Sequence, residues 1–164
     1  MTHGAGHSHP PMILVDADAC PVKDEIYTVA FRHKLPVRLF AGSYLRHPDH
    51  PLIQMTMAGD AFDAADDLIA AMAGPGCLVI TADLPLADRA IKAGAAVRTH
   101  RGEGLTATNI GARLATRDLL ADLRGGLDGQ GLGGHALGGP RPFSRSDRSA
   151  FAQALEQAAR RIKA

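Results

Sequence analysis

The chain has 164 residues, 46% of them hydrophobic and 21% charged, a size and balance that suit one domain with a real core. A formal net charge of +1 gives no global reason to expect a nucleic acid, an anionic membrane or an acidic partner, and no apolar run approaches the roughly 20 residues that span a bilayer. Cys20 and Cys77 form no CxxC pair, which argues against a disulfide framework or a zinc site; with no signal-peptide layout, the expected location is a reducing cytoplasm.

Residues 1–11 (MTHGAGHSHPP) are rich in His, Gly and Pro, have no periodicity, and predict a disordered tail ahead of one domain spanning 12–164. From Met12 the apolar run MILV predicts a strand ending at Asp16. Pro21 then opens a helix with Val22, Ile26, Val29 and Ala30 at helical spacing. VRLFAG predicts a second strand, and a His- and Pro-rich loop leads to a third, LIQMTM. DAFDAADDLIAAMA predicts a helix over 60–73, with Phe62, Ala65, Leu68, Ile69 and Met72 on one stripe and aspartates beside it. CLVITA reads as a buried parallel strand with Asp83 at its end, PLADRAIKAG as a short helix, and AAVRT as a fifth strand. Strands alternating with helices across short connections predict parallel strands in a doubly wound three-layer α/β/α sandwich.

Beyond Arg101 the chain turns basic. Residues 1–100 carry a net charge of −3 and residues 101–164 a net charge of +4. A helix is predicted from about Thr108 to Arg124, carrying Ile110, Leu114, Leu119, Leu120 and Leu123, followed by a mobile Gly-rich loop at about 125–140. Ser144 with Asp147 three residues on has the form of a capping box, opening a last helix that runs to about Ile162.

Side chains just past the carboxyl ends of parallel strands converge on one rim. Asp16, Asp18 and Asp83 belong there, and the helix before the fourth strand adds Asp63, Asp66 and Asp67. Carboxylates gathered this way repel one another unless a cation or protons neutralise them, and oxygen-only ligation suits Mg²⁺ or Mn²⁺. The competing reading of each aspartate is a helix cap, for Asp18 before Pro21 and Asp83 before Pro85, or a solvated helix face, for Asp66 and Asp67. Lys23 near the first rim, and Arg101, Arg113, Arg117, Arg141, Arg145 and Arg148 in the basic half, are candidate phosphate contacts, with a solvated surface as the alternative for each. Thr81 and Ser43 are candidate bridges to water or phosphate, and Cys20 is read as packing.

The segments VDADACPVKDEI, GDAFDAADDLI, VITADLPLADRAIKAGA, TATNIGARLATRDLL and GGPRPFSRSDRSAF, in that order, resemble the YaiI/YqxD family of uncharacterised bacterial proteins. That family in turn resembles the PIN-like domain superfamily. The resemblance implies a parallel sheet of strand order 3-2-1-4-5 with C-terminal helices, and an acidic metal site of nuclease type. Carried across by position, it implies Asp16, then Asp63 or Asp67, then Asp83 as site residues, with Asp88 as a further ligand; the pair Asp16 and Asp18 leaves open which of them is the principal one.

The function expected from these readings is hydrolysis of phosphodiester bonds in RNA by Asp16, Asp63 and Asp83 around a divalent cation. An aromatic content of 4% offers little for base stacking. Two rivals stand beside it. One is a non-catalytic RNA- or protein-binding module on the same fold; the other is an aspartyl-phosphate phosphatase with Asp16 as nucleophile and Asp18 as acid. The phosphatase scheme wants its second acidic pair after the later strands, whereas GDAFDAADD precedes VITAD.

Overall fold

The computed structural model describes residues 10–128 and 142–164. The elements follow the chain as β1 (Met12–Asp16), α1 (Lys23–His33), β2 (Val37–Ala41), β3 (Ile53–Met57), α2 (Ala64–Met72), β4 (Cys77–Ile80), α3 (Leu84–Lys92), β5 (Ala96–Arg98), β6 (Gly104–Leu105), α4 (Ile110–Asp128) and α5 (Arg145–Lys163). The six strands form one sheet in the order β3-β2-β1-β4-β5-β6. β1 pairs in parallel with both β2 and β4, so the chain winds outward to β3 and then crosses back to continue on the other side of β1. The expected order 3-2-1-4-5 is therefore present. Its edge is extended by β6, which runs antiparallel to β5. Two residues, one of them glycine, carry no periodic signal, which is why β6 is invisible in the sequence.

Alternation along β1 sorts the core into two layers, because successive side chains leave a strand on opposite faces. Ile13 and Val15, with Leu39, Leu78 and Ile80, pack against Ile26 and Val29 of α1 and against Phe151 and Leu155 of α5. Leu14, with Phe40, Val79 and Val97, packs against Ile69 of α2, Leu86 and Ala90 of α3, and Ile110 of α4. β4 is buried along its whole length, as its unbroken apolar run requires of a central parallel strand. Helices on both faces complete the three layers.

The predicted capping box is formed. Ser144 Oγ accepts from the amide of Asp147, and Asp147 Oδ2 accepts from the amide of Ser144 at 2.9 Å.

Three local expectations are corrected. The helix predicted over 60–73 begins only at Ala64, because Asp63 takes a left-handed conformation (φ 60°) that a helix cannot continue from; Phe62 thus leaves the apolar stripe and stands 93% exposed. α4 runs on to Asp128, past the expected start of the Gly-rich loop at about 125; residues 129–140 of that loop, and residues 1–9 of the expected tail, lie outside the described residues. In α4 Ile110 is buried and Leu114 half-buried, whereas Leu119, Leu120 and Leu123 of the expected apolar stripe are exposed. Among the described residues no helix is long and apolar enough to cross a membrane.

Candidate functional site

Sheet order reverses between β1 and β4, and the gap beyond their carboxyl ends is where an open α/β fold offers a crevice. Asp16 closes β1, and Thr81 follows β4 directly. Thr81 is fully buried; its hydroxyl donates to Asp16 Oδ2 at 2.9 Å and accepts the amide of Asp83 at 3.0 Å. The amide can only donate, so the single hydroxyl proton is committed to Asp16. One side chain thereby ties the ends of two strands 65 residues apart. Asp83 has a second task as N-cap of α3, where Oδ1 accepts from the amide of Leu86 at 2.9 Å.

Asp18 is not a cap: α1 starts after Val22 with no side-chain cap bond. Its Oδ2 instead accepts the amide of Gly42 at 3.0 Å. A Cβ at Gly42 would stand 3.3 Å from the carbonyl oxygen of Gly59, so glycine lets the loop after β2 close against the loop that follows β3. Those two loops and the start of α2 wall a cleft of about 370 Å³. Asp16, Asp18, Asp60, Asp63 and Asp66 line it, with Phe62 at its edge.

The carboxylates feel each other. Burial pushes the Asp66 carboxyl up to about 6, helped by the charges of Asp83, Asp16 and Asp63 and by a hydrogen bond with Asp63. Burial also raises Asp16; the Thr81 hydroxyl opposes this, and the charges of Asp83 and Asp18 add to it. These interactions bring Asp16, Asp63, Asp66 and Asp83 into one electrostatic neighbourhood, with Asp18 beside Asp16.

The other two acids named from sequence point elsewhere. Asp67 pairs with Arg89 at 2.8 Å and Asp88 with Lys92 at 2.8 Å, both as surface ion pairs. The register is the reason. Because α2 starts at Ala64, its first turn directs Asp66 to the cleft and Asp67 toward α3. Among the described residues, no group of three His, Cys, Asp or Glu side chains is spaced to hold one metal ion as the side chains stand.

The basic candidates are mostly engaged. Arg113 meets Glu103 at 2.6 Å and Arg117 meets Asp118 at 3.2 Å. Arg148 donates to the carbonyl of Pro21 at 2.6 Å and stands 3.4 Å from Glu25. Lys23 donates to the carbonyl of Cys20 at 3.4 Å, Arg145 is exposed at the start of α5, and Arg141 lies outside the described residues. Arg101 pairs with the buried Asp147 at 2.7 Å and stacks on Phe143, whose ring also meets Arg148. Arg101 and Arg113 line a second cavity of about 300 Å³ with Thr99, His100, Ala19 and Phe143. Ala19 and Asp18 are neighbours in sequence, so this cavity and the acidic cleft flank one turn. Ser43 is exposed, and Cys20 is buried with its thiol raised by that burial.

Asp60 and Gly42 went unnoticed in the sequence. The run GDAFD was visible, but nothing local says that the loop before α2, rather than the helix alone, carries acids into the cleft.

Fold and site together define a doubly wound α/β protein with an acidic cleft at its topological switch point. The chain matches the family described as "Uncharacterized BCR, YaiI/YqxD family" over residues 14–161. Curated relatives named UPF0178 protein agree: one from Jannaschia sp. (strain CCS1) is 63% identical over 152 residues, covering 93% of this chain and 94% of its own. One from Sphingopyxis alaskensis is 53% identical over 153 residues (93% and 96%), and one from Nitrobacter winogradskyi 54% over 151 residues (92% and 92%). The chain belongs to the YaiI/YqxD family. No solved structure matches it.

Proposed function

We propose that this protein is a metal-dependent hydrolase of phosphodiester bonds in RNA, built on a PIN-like fold and working from the acidic cleft in the cytoplasm. The observation that carries the reading is the cleft itself, where aspartates from two separate chain segments line one space at the switch point of the sheet, and the charge of Asp83 reaches them from a third. Carboxylates that raise one another's protonation are groups that a cation would relieve.

The donor set fits Mg²⁺ or Mn²⁺. It is all oxygen and open to water, and Mg²⁺ keeps several waters while taking one or two carboxylates and the substrate phosphate, so three preplaced ligands are not required. Asp16 and Asp66 would be the principal holders, with Asp18, Asp63 and Asp83 as neighbours. Such an ion supplies Lewis-acid stabilisation of the charge that develops on the phosphoryl group. The chain's own residues do the positioning: Thr81 holds Asp16 in one orientation, and Gly42 fixes Asp18. Across the turn, Arg101 and Arg113 stand where the phosphates of a bound strand would pass.

Thermal unfolding with Mn²⁺, Mg²⁺ or chelator, on the native chain and on Asp16→Asn and Asp66→Asn, tests the reading beside a cleavage assay on single-stranded RNA. Expected are a saturable metal-induced rise in Tm and Mn²⁺-dependent cleavage, both lost in the variants. A chain that shows neither, or variants that retain both, would overturn it. That no three ready ligands stand together among the described residues favours a second reading, an RNA- or protein-binding module without catalysis. It predicts RNA binding that survives Asp16→Asn, with no cleavage to lose.

A further inference from the structure

Most arginines of this chain that come near another charge meet a carboxylate, as Arg32, Arg89, Arg113 and Arg148 do. Arg98 and Arg161 instead share one cavity and feel each other's charge. Arg98 closes β5 and lies across Gly104 of β6, where a Cβ would stand 3.2 Å from its Nη1; the glycine leaves room for the guanidinium to lie flat and donate to the carbonyl of Gly102 at 3.1 Å. Arg161 comes from the last turn of α5. Both line a cavity of about 290 Å³ at the β5–β6 edge of the sheet, and among the described residues no carboxylate lines it with them. Burial holds Arg98 below its usual range, and the charge of Arg161 adds to it.

The remaining wall carries no charge. Thr106 and Ala107 line the same cavity and belong to the turn that opens α4, where the carbonyl of Thr106 accepts the amide of Ile110 at 2.9 Å. Ile91, Val97 and Leu105 make the floor apolar, while Arg161, Thr106 and Ala107 stand exposed at its mouth, open to a ligand from solvent.

We propose that this cavity is a phosphate-binding site, in which Arg98 and Arg161 clamp one phosphoryl group between β5 and the start of α4. Guanidinium forks match phosphate oxygens in pairs, and an anion turns the repulsion between the two into attraction to a shared partner. The site is distinct from the acidic cleft and does not depend on any hydrolysis there. Its ligand is a phosphate group, either free or carried on a nucleic-acid backbone.

The test is thermal unfolding at neutral pH with inorganic phosphate titrated against chloride at matched ionic strength. The native chain should show a saturable rise of about 3–6 °C once phosphate is roughly tenfold above its dissociation constant. Arg98→Gln and Arg161→Gln should abolish the saturable rise. In phosphate-free buffer Arg161→Gln should melt at or above the native temperature, since it removes a like charge, and this separates lost binding from lost folding. Repeating the titration with a short RNA present distinguishes the sources: a flattened curve assigns the site to a nucleic-acid phosphate, an unchanged one to free phosphate or a small ester, and both support it. A rise that never saturates, or a saturable rise that persists in both variants, overturns the proposal.

Discussion

Thr81→Val is the sharpest probe of how the two central strands are tied at the rim. Valine keeps the shape of a fully buried side chain but can neither donate to Asp16 Oδ2 nor accept the amide of Asp83. The bond to Asp16 involves a carboxylate and is worth roughly 1.5–3 kcal/mol; the accepted amide bond adds roughly 0.5–1.5 kcal/mol. Together the loss is about 3 kcal/mol, and at about 2–4 °C per kcal/mol for a domain of this size it lowers Tm by about 6–12 °C. Thr81→Ser retains the hydroxyl and should lose less than half as much. The same substitution acts on protonation: with the hydroxyl gone, the one influence that lowers Asp16 is removed, so its carboxyl should titrate higher still by ¹³C NMR. A Thr81→Val protein that melts within about 1 °C of the native chain, or together with Thr81→Ser, would refute the claim that this hydroxyl joins β1 to β4.

Asp66 titrates at about 6 against an ordinary 3.8, so the folded state favours its protonated form, and stability should fall as pH rises between those values and level off above. After allowance for solvent screening and the favourable first-turn position, Asp66→Asn should gain about 1 kcal/mol at neutral pH and nothing near pH 3.8, as read from urea midpoints; equal effects at both would sink the repulsion argument. Asp147, buried with its Arg101 ion pair and its capping bonds, should cost about 3–5 kcal/mol on replacement by alanine, measured by the same midpoints. A loss under about 1 kcal/mol would mean that Arg101 and the start of α5 do not rely on it.

Much of the fold could be read from local patterns because each central element satisfies its own rule. β4 is an unbroken apolar run, α1 repeats at helical spacing behind a proline, and Ser144 with Asp147 forms the cap that the motif describes. The candidate site was legible only in part. Asp16 and Asp83 were visible as aspartates at strand ends, since strand direction alone sends such residues to one rim. The choice between Asp66 and Asp67 was not, for it hangs on where α2 begins, and that start is set by the left-handed backbone at Asp63.

By itself, then, the sequence determined the alternation of strands and helices, the two apolar faces of the sheet and the acidic character of the rim. These follow from nearest-neighbour periodicity and from side-chain chemistry. Only the tertiary structure decided that Thr81 spends its one proton on Asp16, that Gly42 rather than a helix end receives Asp18, and that Arg98 and Arg161 come to line one cavity at the β5–β6 edge. Each of those contacts joins residues many positions apart, and no local pattern encodes which distant group a side chain will meet once the core has closed around it.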